Sequence, residues 1–499
     1  MNKLAQLDRK FVWHPFTQMR DWLRREPIVV ASGEGAVLRD VCGKEYLDAN
    51  SSIWTNLHGH NHPKINSAIA RQLKKIAHSS ALGFANEPAS LLAEQLVTAA
   101  SFVFTGGTNP TSPHSGIKSG TRGTRPSEKL NKVFFSDDGS TALEVALKLA
   151  YQFTLRTRGG KSPPKFLSLD GAYHGDTIGA VSLGHIDIFH KAYGGMLFKT
   201  DKAMSPYCYR CPFNRAQPER ADARKYRKCN WECVGKVEQK FSAQKKRGNP
   251  YAAFVFEPLM QGAAGMIPQP DGWLRQVTDI ARSHGALLIA DEVMTGFGRT
   301  NSKFKTQNSK PSLFACRQEN VQPDFLCLAK GLTGGYLPMA ATLTTQKVFD
   351  AFLGEYEEFK TFFHGHSFTG NQLGAAAALA SLEIVQTKQS VLQRARLQQW
   401  MHEGLQSLWT LPNVGDIRQV GLVAGVELVK NWRTREPFAL RERAGIRVCE
   451  AMARRGALTR PVGNVIVLMP PYCTTRAQLQ KMISALAAGV RELNRPGLT

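Results

Sequence analysis

Two stretches decide the fold: ALLIADE at residues 286–292 and FLCLAKGLTGG at residues 325–335. Each is a short apolar run, typical of a buried strand, that leads into a charged side chain, Asp291 in the first and Lys330 in the second. Because such runs alternate with helical patterns, they indicate a parallel sheet that is covered by helices on both faces. Three further runs have the same form: VFFS (133–136), FLSL (166–169) and AAFVFE (252–257).

Helical periodicity fills much of the chain around these strands. Residues 63–77 and 87–100 repeat apolar side chains at the spacing of amphipathic helices, and an Ala-rich helix is predicted over 374–386. Residues 28–48 alternate as short strands do, which predicts a small N-terminal sheet. The last part of the chain adds two predicted strands, VAGVELV (423–429) and NVIVLMP (464–470).

The length of 499 residues exceeds the size at which one hydrophobic core stops growing, so two domains are expected. We predict an α/β fold, with a large domain that holds a mostly parallel sheet and a small α+β domain. The predicted boundaries are 1–63 for the N-terminal part of the small domain, 64–372 for the large domain and 373–499 for the C-terminal part of the small domain.

Composition excludes several classes of protein. A hydrophobic fraction of 42% with 21% charged residues is ordinary for a globular protein, which excludes global disorder. No apolar run is long enough to span a bilayer, and the mean hydropathy is -0.27. The segment MNKLAQLDRKFVWHPF lacks the apolar core and the cleavage site of a secretory signal, so we expect a cytoplasmic enzyme or binding protein.

The net charge of +24 is the unusual feature of the composition. Most of the excess falls near residues 105–132, 199–250 and 303–317, which show little periodic hydrophobicity and are interpreted as basic surface insertions in the large domain. Basic runs are usually solvated surface, and a polyanion-facing patch is the alternative. We therefore expect neither nucleic acid nor a membrane as a partner. Residues 105–127 are also rich in Gly, Ser, Thr and Pro, which predicts a mobile loop.

Nine cysteines without a signal peptide argue for reduced thiols. Four of them form a cluster in the sequence with a spacing close to that of a zinc ribbon. The second pair of this cluster has one residue more than the commonest zinc knuckle, so a structural metal and free thiols both remain open, and no metal site is assigned. The four are Cys208, Cys211, Cys229 and Cys233.

Three groups at predicted strand ends carry chemistry, because ligands of open α/β sheets bind at the carboxyl ends of the strands. Gly139 and Ser140 precede the helix ALEVALKLAYQF, where free N–H groups and the helix dipole suit a phosphate, although Ser140 is also an ordinary helix cap. Asp291 is a buried acid that needs a cation or a donor. Burial of Lys330 would lower the pKa of its amine, as a Schiff-base lysine requires. Together these are the parts of a pyridoxal phosphate site.

The block LLIADEVMTGFGRT (287–300), followed by PDFLCLAKGLTGG (323–335), resembles the signature of the class III pyridoxal phosphate aminotransferases, which have fold type I. The resemblance covers nearly the whole chain outside the insertions. It implies pyridoxal 5'-phosphate as the cofactor and a homodimer with its active sites at the subunit interface. Four further motifs are similar to the branch of this family that aminates 8-amino-7-oxononanoate in biotin biosynthesis: WHPFTQM (13–19), GAYHGDT (171–177), HGHSFTGN (364–371) and TRP (459–461).

The resemblance also implies a role for each site residue. Three would be catalytic: Lys330 would hold the cofactor and move the proton, Asp291 would pair with the pyridine nitrogen, and Tyr173 would stack on the ring. The other residues near the cofactor would be Gly139 and Ser140 at its phosphate, and His366 and Ser367, of which the last would reach the partner subunit's site. The other substrate-binding residues would be Phe16, Ile53, Trp54, Gly365 and Arg460, of which the last would hold the substrate carboxylate.

The amino donor is left open between S-adenosylmethionine and L-lysine. Phe16, Ile53 and His366 stand where enzymes of this branch that use S-adenosylmethionine have Tyr, Trp and Pro. These replacements leave a pocket with less aromatic surface, and the sulfonium of S-adenosylmethionine benefits from aromatic walls. Lysine is therefore favoured as the donor. Two other functions remain. One is another class III enzyme, of the 4-aminobutyrate or ornithine type, and the WHPF block argues against it. The other is a non-catalytic basic binding protein, and the intact Lys330 and Asp291 argue against that.

Overall fold

The computed structural model describes residues 2–101, 128–159, 162–300 and 312–493. The strands in these ranges are β1 (Val30–Glu34), β2 (Val37–Asp40), β3 (Glu45–Asp48), β4 (Leu130–Ser136), β5 (Phe166–Leu169), β6 (Asp201–Ala203), β7 (Ala253–Phe256), β8 (Met260–Gln261), β9 (Ile267–Pro268), β10 (Leu287–Asp291), β11 (Phe325–Leu328), β12 (Ala340–Thr345), β13 (Val414–Val420), β14 (Val423–Asn431), β15 (Glu436–Pro437), β16 (Ala457–Leu458), β17 (Pro461–Val462) and β18 (Val465–Leu468).

The α-helices cover both faces of the sheet and build much of the C-terminal part. They are α1 (Lys3–Phe11), α2 (Met19–Leu23), α3 (Ser51–Trp54), α4 (Pro63–Lys75), α5 (Glu87–Ala100), α6 (Gly139–Arg158), α7 (Ile178–Leu183), α8 (Asp187–His190), α9 (Ala223–Tyr226), α10 (Glu232–Lys246), α11 (Trp273–Ser283), α12 (Gln346–Asp350), α13 (Gln372–Gln386), α14 (Lys388–Gln406), α15 (Ala444–Arg454) and α16 (Arg476–Glu492). In the part of the chain that the structure describes, no helix combines the length and apolar character needed to cross a membrane.

The central sheet has seven strands in the order β4-β12-β11-β10-β7-β5-β6. β10 pairs in parallel with both β7 and β11, and β5 pairs in parallel with both β7 and β6. β12 runs antiparallel to its two neighbours, β11 and β4, and so it alone opposes the other six strands of this sheet. The predicted α/β fold with a mostly parallel sheet is confirmed.

Both faces of this sheet are apolar, because alternate side chains of each strand point to opposite faces. In β10, Leu288 and Ala290 belong to one core cluster, and Ile289 between them belongs to another. A strand buried on both faces appears in the sequence as an uninterrupted apolar run, which is why residues 287–290 were informative. The pairing of Asp291 with Cys327 then places the ends of β10 and β11 side by side.

Two smaller sheets involve the ends of the chain. One has the order β1-β2-β3-β16, so that a strand from the C-terminal part completes the predicted N-terminal sheet. The other has the order β13-β14-β18-β17, with β15 paired to β14. This pairing of the chain ends agrees with a small domain built from both termini, and the boundaries 1–63, 64–372 and 373–499 stay a prediction.

The interpretation of residues 199–250 as a surface insertion is wrong in part. The stretch contains β6, an edge strand of the central sheet, and α10, whose Val237 and Phe241 are buried in the core. These two residues lie four apart on one face of an otherwise basic helix, so the core face gives only a weak apolar pattern.

The bounds of the other two insertions also change. β4 begins at Leu130, inside the predicted stretch 105–132, and residues 313–316 are buried. The predicted mobile loop at residues 105–127, and residues 303–311 of the third insertion, lie outside the described residues.

Candidate active site

A cavity of about 430 Å³ opens at the carboxyl ends of β4, β7, β10 and β11. This is the edge at which ligands bind in open α/β sheets. Six of the residues that the sequence predicted for the site line it: Trp54, Gly139, Ser140, Tyr173, Asp291 and Lys330.

Lys330 lies two residues beyond the end of β11, at the start of a tight turn. The turn needs glycine at Gly335, where φ is +88° and a Cβ atom would come within 2.8 Å of the backbone nitrogen of Asn56. Burial lowers the pKa of the Lys330 amine, whereas the carboxylates of Asp291 and Glu257 act in the opposite direction. The Nζ atom lies 5.3 Å from the centre of the Trp54 ring. A lysine amine in such surroundings is suited to act as a nucleophile and a base.

Asp291 is buried at the end of β10 and is held by two donors. Its Oδ1 accepts a hydrogen bond from the backbone N–H of Val293 at 3.0 Å, and its Oδ2 lies 2.8 Å from Nδ1 of His174. The ring of His174 is also buried, and its Nε2 has no hydrogen-bond partner among the described residues. The carboxylate is therefore fixed in orientation and faces the cavity with a charge that a cationic ligand group would meet.

The N-terminus of α6 forms the third part of the site. The side chain of Asp138 accepts from the backbone N–H of Thr141 at 2.9 Å, which caps the helix and leaves the N–H groups of Gly139 and Ser140 at the cavity. A Cβ atom at Gly139 would meet Cγ1 of Val293 at 2.8 Å, so glycine keeps this approach open. A helix start whose first N–H groups stay free binds phosphate through these groups and through the helix dipole.

Tyr173 closes one side of the cavity. Its hydroxyl donates to Oδ2 of Asp176 at 2.7 Å, and its ring is parallel to that of His190 at 6.3 Å. Burial, and then the contact with Asp176, raise the pKa of Tyr173 well above the ordinary value. The phenol therefore stays protonated at neutral pH.

A rim group connects Tyr173 to two further predicted residues. The ring of Phe16 lies edge-on to that of Tyr173, with centroids 6.5 Å apart, and the Arg460 side chain donates to the carbonyl oxygen of Phe16 at 3.2 Å. Arg460 is exposed, and its guanidinium is a group that binds carboxylates with two parallel hydrogen bonds. The Phe16–Tyr173–Arg460 group brings together the N-terminal segment, the loop after β5 and the connection between β16 and β17.

Six predicted residues do not line the cavity: Phe16 and Arg460, which meet beside Tyr173 as described above, and Ile53, Gly365, His366 and Ser367. The Ile53 side chain is 47% exposed and follows Ser52 in the chain, next to the lining residue Trp54. Gly365, His366 and Ser367 lie in the loop before α13. Nδ1 of His366 lies 3.2 Å from Oδ2 of the lining residue Asp137, and the carbonyl oxygen of Ser367 lies 2.9 Å from Nε2 of His78. Within one chain this loop therefore borders the site without entering it.

Glu257 and Thr295 are two of the polar cavity residues that sequence reasoning missed. Glu257 follows β7, and burial raises the pKa of its carboxyl to about 7 while the N–H of Gly262 donates to it at 2.8 Å. Thr295 has a buried hydroxyl without a hydrogen-bond partner in the described part of the chain. The rule that identified Asp291, a polar residue at the end of an apolar run, also applies to Glu257. No such signal marks Thr295.

These residues fit pyridoxal phosphate. The lysine amine, the carboxylate and the helix N-terminus surround one cavity, Trp54 and Tyr173 flank it with aromatic rings, and the hydroxyl of Thr295 is an unused polar group that a ligand could satisfy. When bound, the cofactor supplies a carbonyl that accepts an amino group and a ring that stabilises the negative charge formed in the reaction.

Comparison with known proteins identifies the class of this chain. The family model for class-III aminotransferases matches residues 19–490, and the chain belongs to this family. It is a pyridoxal phosphate-dependent aminotransferase of fold type I. This membership argues against the alternative of a non-catalytic basic protein.

The most similar relatives carry one common name, adenosylmethionine-8-amino-7-oxononanoate aminotransferase. The relative from Geobacter sulfurreducens is 43% identical over 487 residues, covering 98% of this chain and 97% of the relative. The relative from Aquifex aeolicus is 42% identical over 492 residues, with 99% and 98% covered.

Solved structures agree with this class. The crystal structure of the enzyme of that name from Methanocaldococcus jannaschii matches with a TM-score of 0.83 and 38% identity, covering 99% of both chains. An amine transaminase from an uncultivated Pseudomonas species, solved with pyridoxal phosphate bound, matches with a TM-score of 0.81 and 30% identity, covering 97% of this chain and 99% of that one.

Proposed function

We propose that this aminotransferase converts 8-amino-7-oxononanoate to 7,8-diaminononanoate in biotin biosynthesis. The observation that carries the proposal is the Phe16–Tyr173–Arg460 group at the rim of the cavity. The acceptor has a carboxylate at one end and the reacting ketone near the other. An arginine at the rim and a lysine at the base of the cavity suit a molecule of this kind. The common name of the relatives supports the same acceptor.

Each residue has a distinct task in this proposal. Lys330 would hold the cofactor and would accept and return a proton at its Nζ atom, for which a lowered amine pKa is needed. Asp291 would pair with the pyridine nitrogen, and Gly139 and Ser140 would hold the phosphate through the start of α6. Arg460 binds the carboxylate of the acceptor.

S-adenosylmethionine is the first candidate for the donor, because it stands in the names of the relatives. The sequence argument for L-lysine rests on three residues, Phe16, Ile53 and His366. In the structure Ile53 does not line the cavity, so within one chain it does not change the cavity wall. Phe16, which lacks a hydroxyl at the rim, and His366, which lies beside Asp137, still favour L-lysine, and this diamine is the second candidate.

A homodimer is part of the proposal. Four large apolar side chains near the His366–Ser367 loop are highly exposed in the single chain: Leu82 (88%), Phe84 (71%), Phe363 (72%) and Phe368 (59%). An exposed apolar patch of this kind is typical of a subunit interface. A second copy packed on it would bring the loop that carries Gly365, His366 and Ser367 toward the other subunit's cavity, as the family resemblance implies.

A substrate screen tests the proposed function. The holoenzyme is incubated with 8-amino-7-oxononanoate and either S-adenosylmethionine or L-lysine, and in a separate arm with 4-aminobutyrate and 2-oxoglutarate. We expect 7,8-diaminononanoate, detected by mass spectrometry, with at least one of the first two donors. Turnover in the 4-aminobutyrate arm without any 7,8-diaminononanoate would instead identify another activity of the same family.

A further inference from the structure

The four cysteines that cluster in the sequence also come together in the structure. They line one small void next to α10, although the first pair precedes the second by more than fifteen residues: Cys208, Cys211, Cys229 and Cys233. The void has a volume of about 10 Å³, which is room for one water-sized sphere. It is separate from the active-site cavity, because the two share no lining residue.

The thiols differ in exposure although they share the void. Cys208 and Cys233 are buried, and Cys211 and Cys229 are partly exposed. Four thiols in one place give little stability by themselves, since each is only a weak donor and acceptor.

A charged donor faces one of these sulfur atoms. Nη1 of Arg227 donates to Sγ of Cys229 at 3.1 Å, and the guanidinium is held over the ring of Trp231, 3.9 Å from its centre. A positively charged donor stabilises a thiolate ligand.

We propose that Cys208, Cys211, Cys229 and Cys233 bind one Zn²⁺ ion as four thiolates. Binding releases four thiol protons to solvent, and the ion with its ligands carries a charge of −2, which Arg227 partly offsets. Soft thiolates select Zn²⁺ among the common divalent ions, and a void for one sphere suits a single ion better than an iron–sulfur cluster.

The thiols as they stand are not yet a coordination sphere. Within residues 2–101, 128–159, 162–300 and 312–493, no group of three or more His, Cys, Asp or Glu side chains is already arranged to hold a metal ion. A coordination sphere requires all four sulfur atoms about 2.3 Å from the ion. The proposal requires the four side chains to rotate about their Cα–Cβ bonds so that the sulfur atoms converge on the shared void.

The position of the site explains what the ion would stabilise. The segment between the two cysteine pairs is anchored on the C-terminal sheet, β13-β14-β18-β17. Arg224 donates to the carbonyl oxygen of Gln419 in β13 at 2.8 Å, and Arg220 donates to that of Leu411, just before β13, at 3.0 Å. Just before the first pair, Ser205 donates to the carbonyl oxygen of Asp170, at the start of the loop that carries Tyr173. Zn²⁺ would therefore fix a segment that bridges the C-terminal sheet to the active-site loop.

Elemental analysis of the untagged holoenzyme, purified without added metal, tests this proposal. We expect about one Zn²⁺ per chain, retained on dialysis against a weak chelator. After exchange for Co²⁺, the protein should show the sulfur-to-cobalt absorption and the visible bands of a tetrahedral thiolate site. These two measurements need no variant, so they do not depend on whether a substituted chain folds.

Cys211→Ser and Cys229→Ser should lose most of the Zn²⁺ and unfold at a lower temperature, whereas the control Cys42→Ser should keep it. Cys42 is an exposed cysteine in the turn between β2 and β3, away from the group. Less than about 0.1 Zn²⁺ per chain with nine reactive thiols after denaturation would overturn the proposal. So would disulfides within the group, or Zn²⁺ that survives both substitutions.

Discussion

Asp291→Asn is the substitution that separates the charge of this residue from its shape. Asn has nearly the same volume, and its oxygen can accept the hydrogen bond that the N–H of Val293 now donates to Oδ1 at 3.0 Å. The amide NH₂ would then face Nδ1 of His174. The imidazole can move its proton to Nε2, which has no partner in the described part of the chain, so the pair can still hydrogen-bond. The free energy of unfolding should therefore change by less than about 1.5 kcal/mol.

The effect on catalysis should be much larger. Removing one member of a buried charge pair costs about 3–5 kcal/mol, and the proposed partner of Asp291 is the protonated pyridine nitrogen. If this energy is lost mainly in the transition state, the rate should fall by about 10²–10⁴-fold. Cofactor binding should be weakened less, because Lys330 and the start of α6 still hold the molecule.

Single-turnover kinetics measure this change. The donor half-reaction is followed by the loss of cofactor absorbance in wild type and variant, at matched cofactor content. Asp324→Asn is a control, because Asp324 is a partly buried aspartate that precedes β11 at the opposite end of the sheet and accepts from the N–H of Leu288 at 2.8 Å. The control should keep the wild-type rate. An Asp291→Asn enzyme within tenfold of the wild-type rate would refute the role of the charge.

Three further predictions follow from the site. Lys330→Ala should abolish turnover while circular dichroism still shows a folded chain; residual turnover above background would exclude Lys330 as the cofactor lysine. Arg460→Ala should raise the KM for 8-amino-7-oxononanoate by about 10–100-fold. The donor half-reaction and the surface control Arg454→Ala should be nearly unchanged, and equal losses in both half-reactions would contradict acceptor recognition by Arg460. The pKa of the Glu257 carboxyl is raised from 4.5 to about 7 in the folded state, because burial favours its neutral form. The contribution of this carboxyl to the free energy of unfolding is therefore fully present below pH 4.5 and is lost as the pH rises through 7. Glu257→Gln should therefore raise the free energy of unfolding at pH 8 by up to about 3 kcal/mol and leave it nearly unchanged at pH 4.5. Urea unfolding measures this free energy, and an equal increase at both pH values would contradict the explanation.

Strand ends were predictable because the central strands are buried on both faces. The apolar runs at residues 166–169 and 287–290 coincide closely with β5 and β10, and the polar residues after such runs point to the site. β12 escaped prediction because AATLTT is rich in small and hydroxyl side chains. Thr342 in this strand is buried, and its hydroxyl donates a hydrogen bond to the carbonyl oxygen of Ala142. Spacing in the sequence does not reveal this partner.

The contacts that bring distant segments to the cavity were not predictable. The N–H of Asp176 donates to Oγ of Ser140 at 3.1 Å, and the link between Arg460 and Phe16 joins residues that are 444 positions apart. Such contacts depend on how the sheets pack, whereas local patterns report only the element to which a residue belongs. The motif resemblance identified these residues without showing how they meet. The void shared by the four cysteines likewise became visible only in three dimensions.

The central claim is that the cofactor is held on Lys330, at the strand end where the cavity opens. The most direct test reduces the holoenzyme with borohydride, which fixes the cofactor to the amine that binds it, and then maps the peptides by mass spectrometry. We predict one phosphopyridoxyl group per chain, on the peptide that contains Lys330 and on that residue alone. A group on any other lysine, or none on a chain that is active, would contradict the site described above.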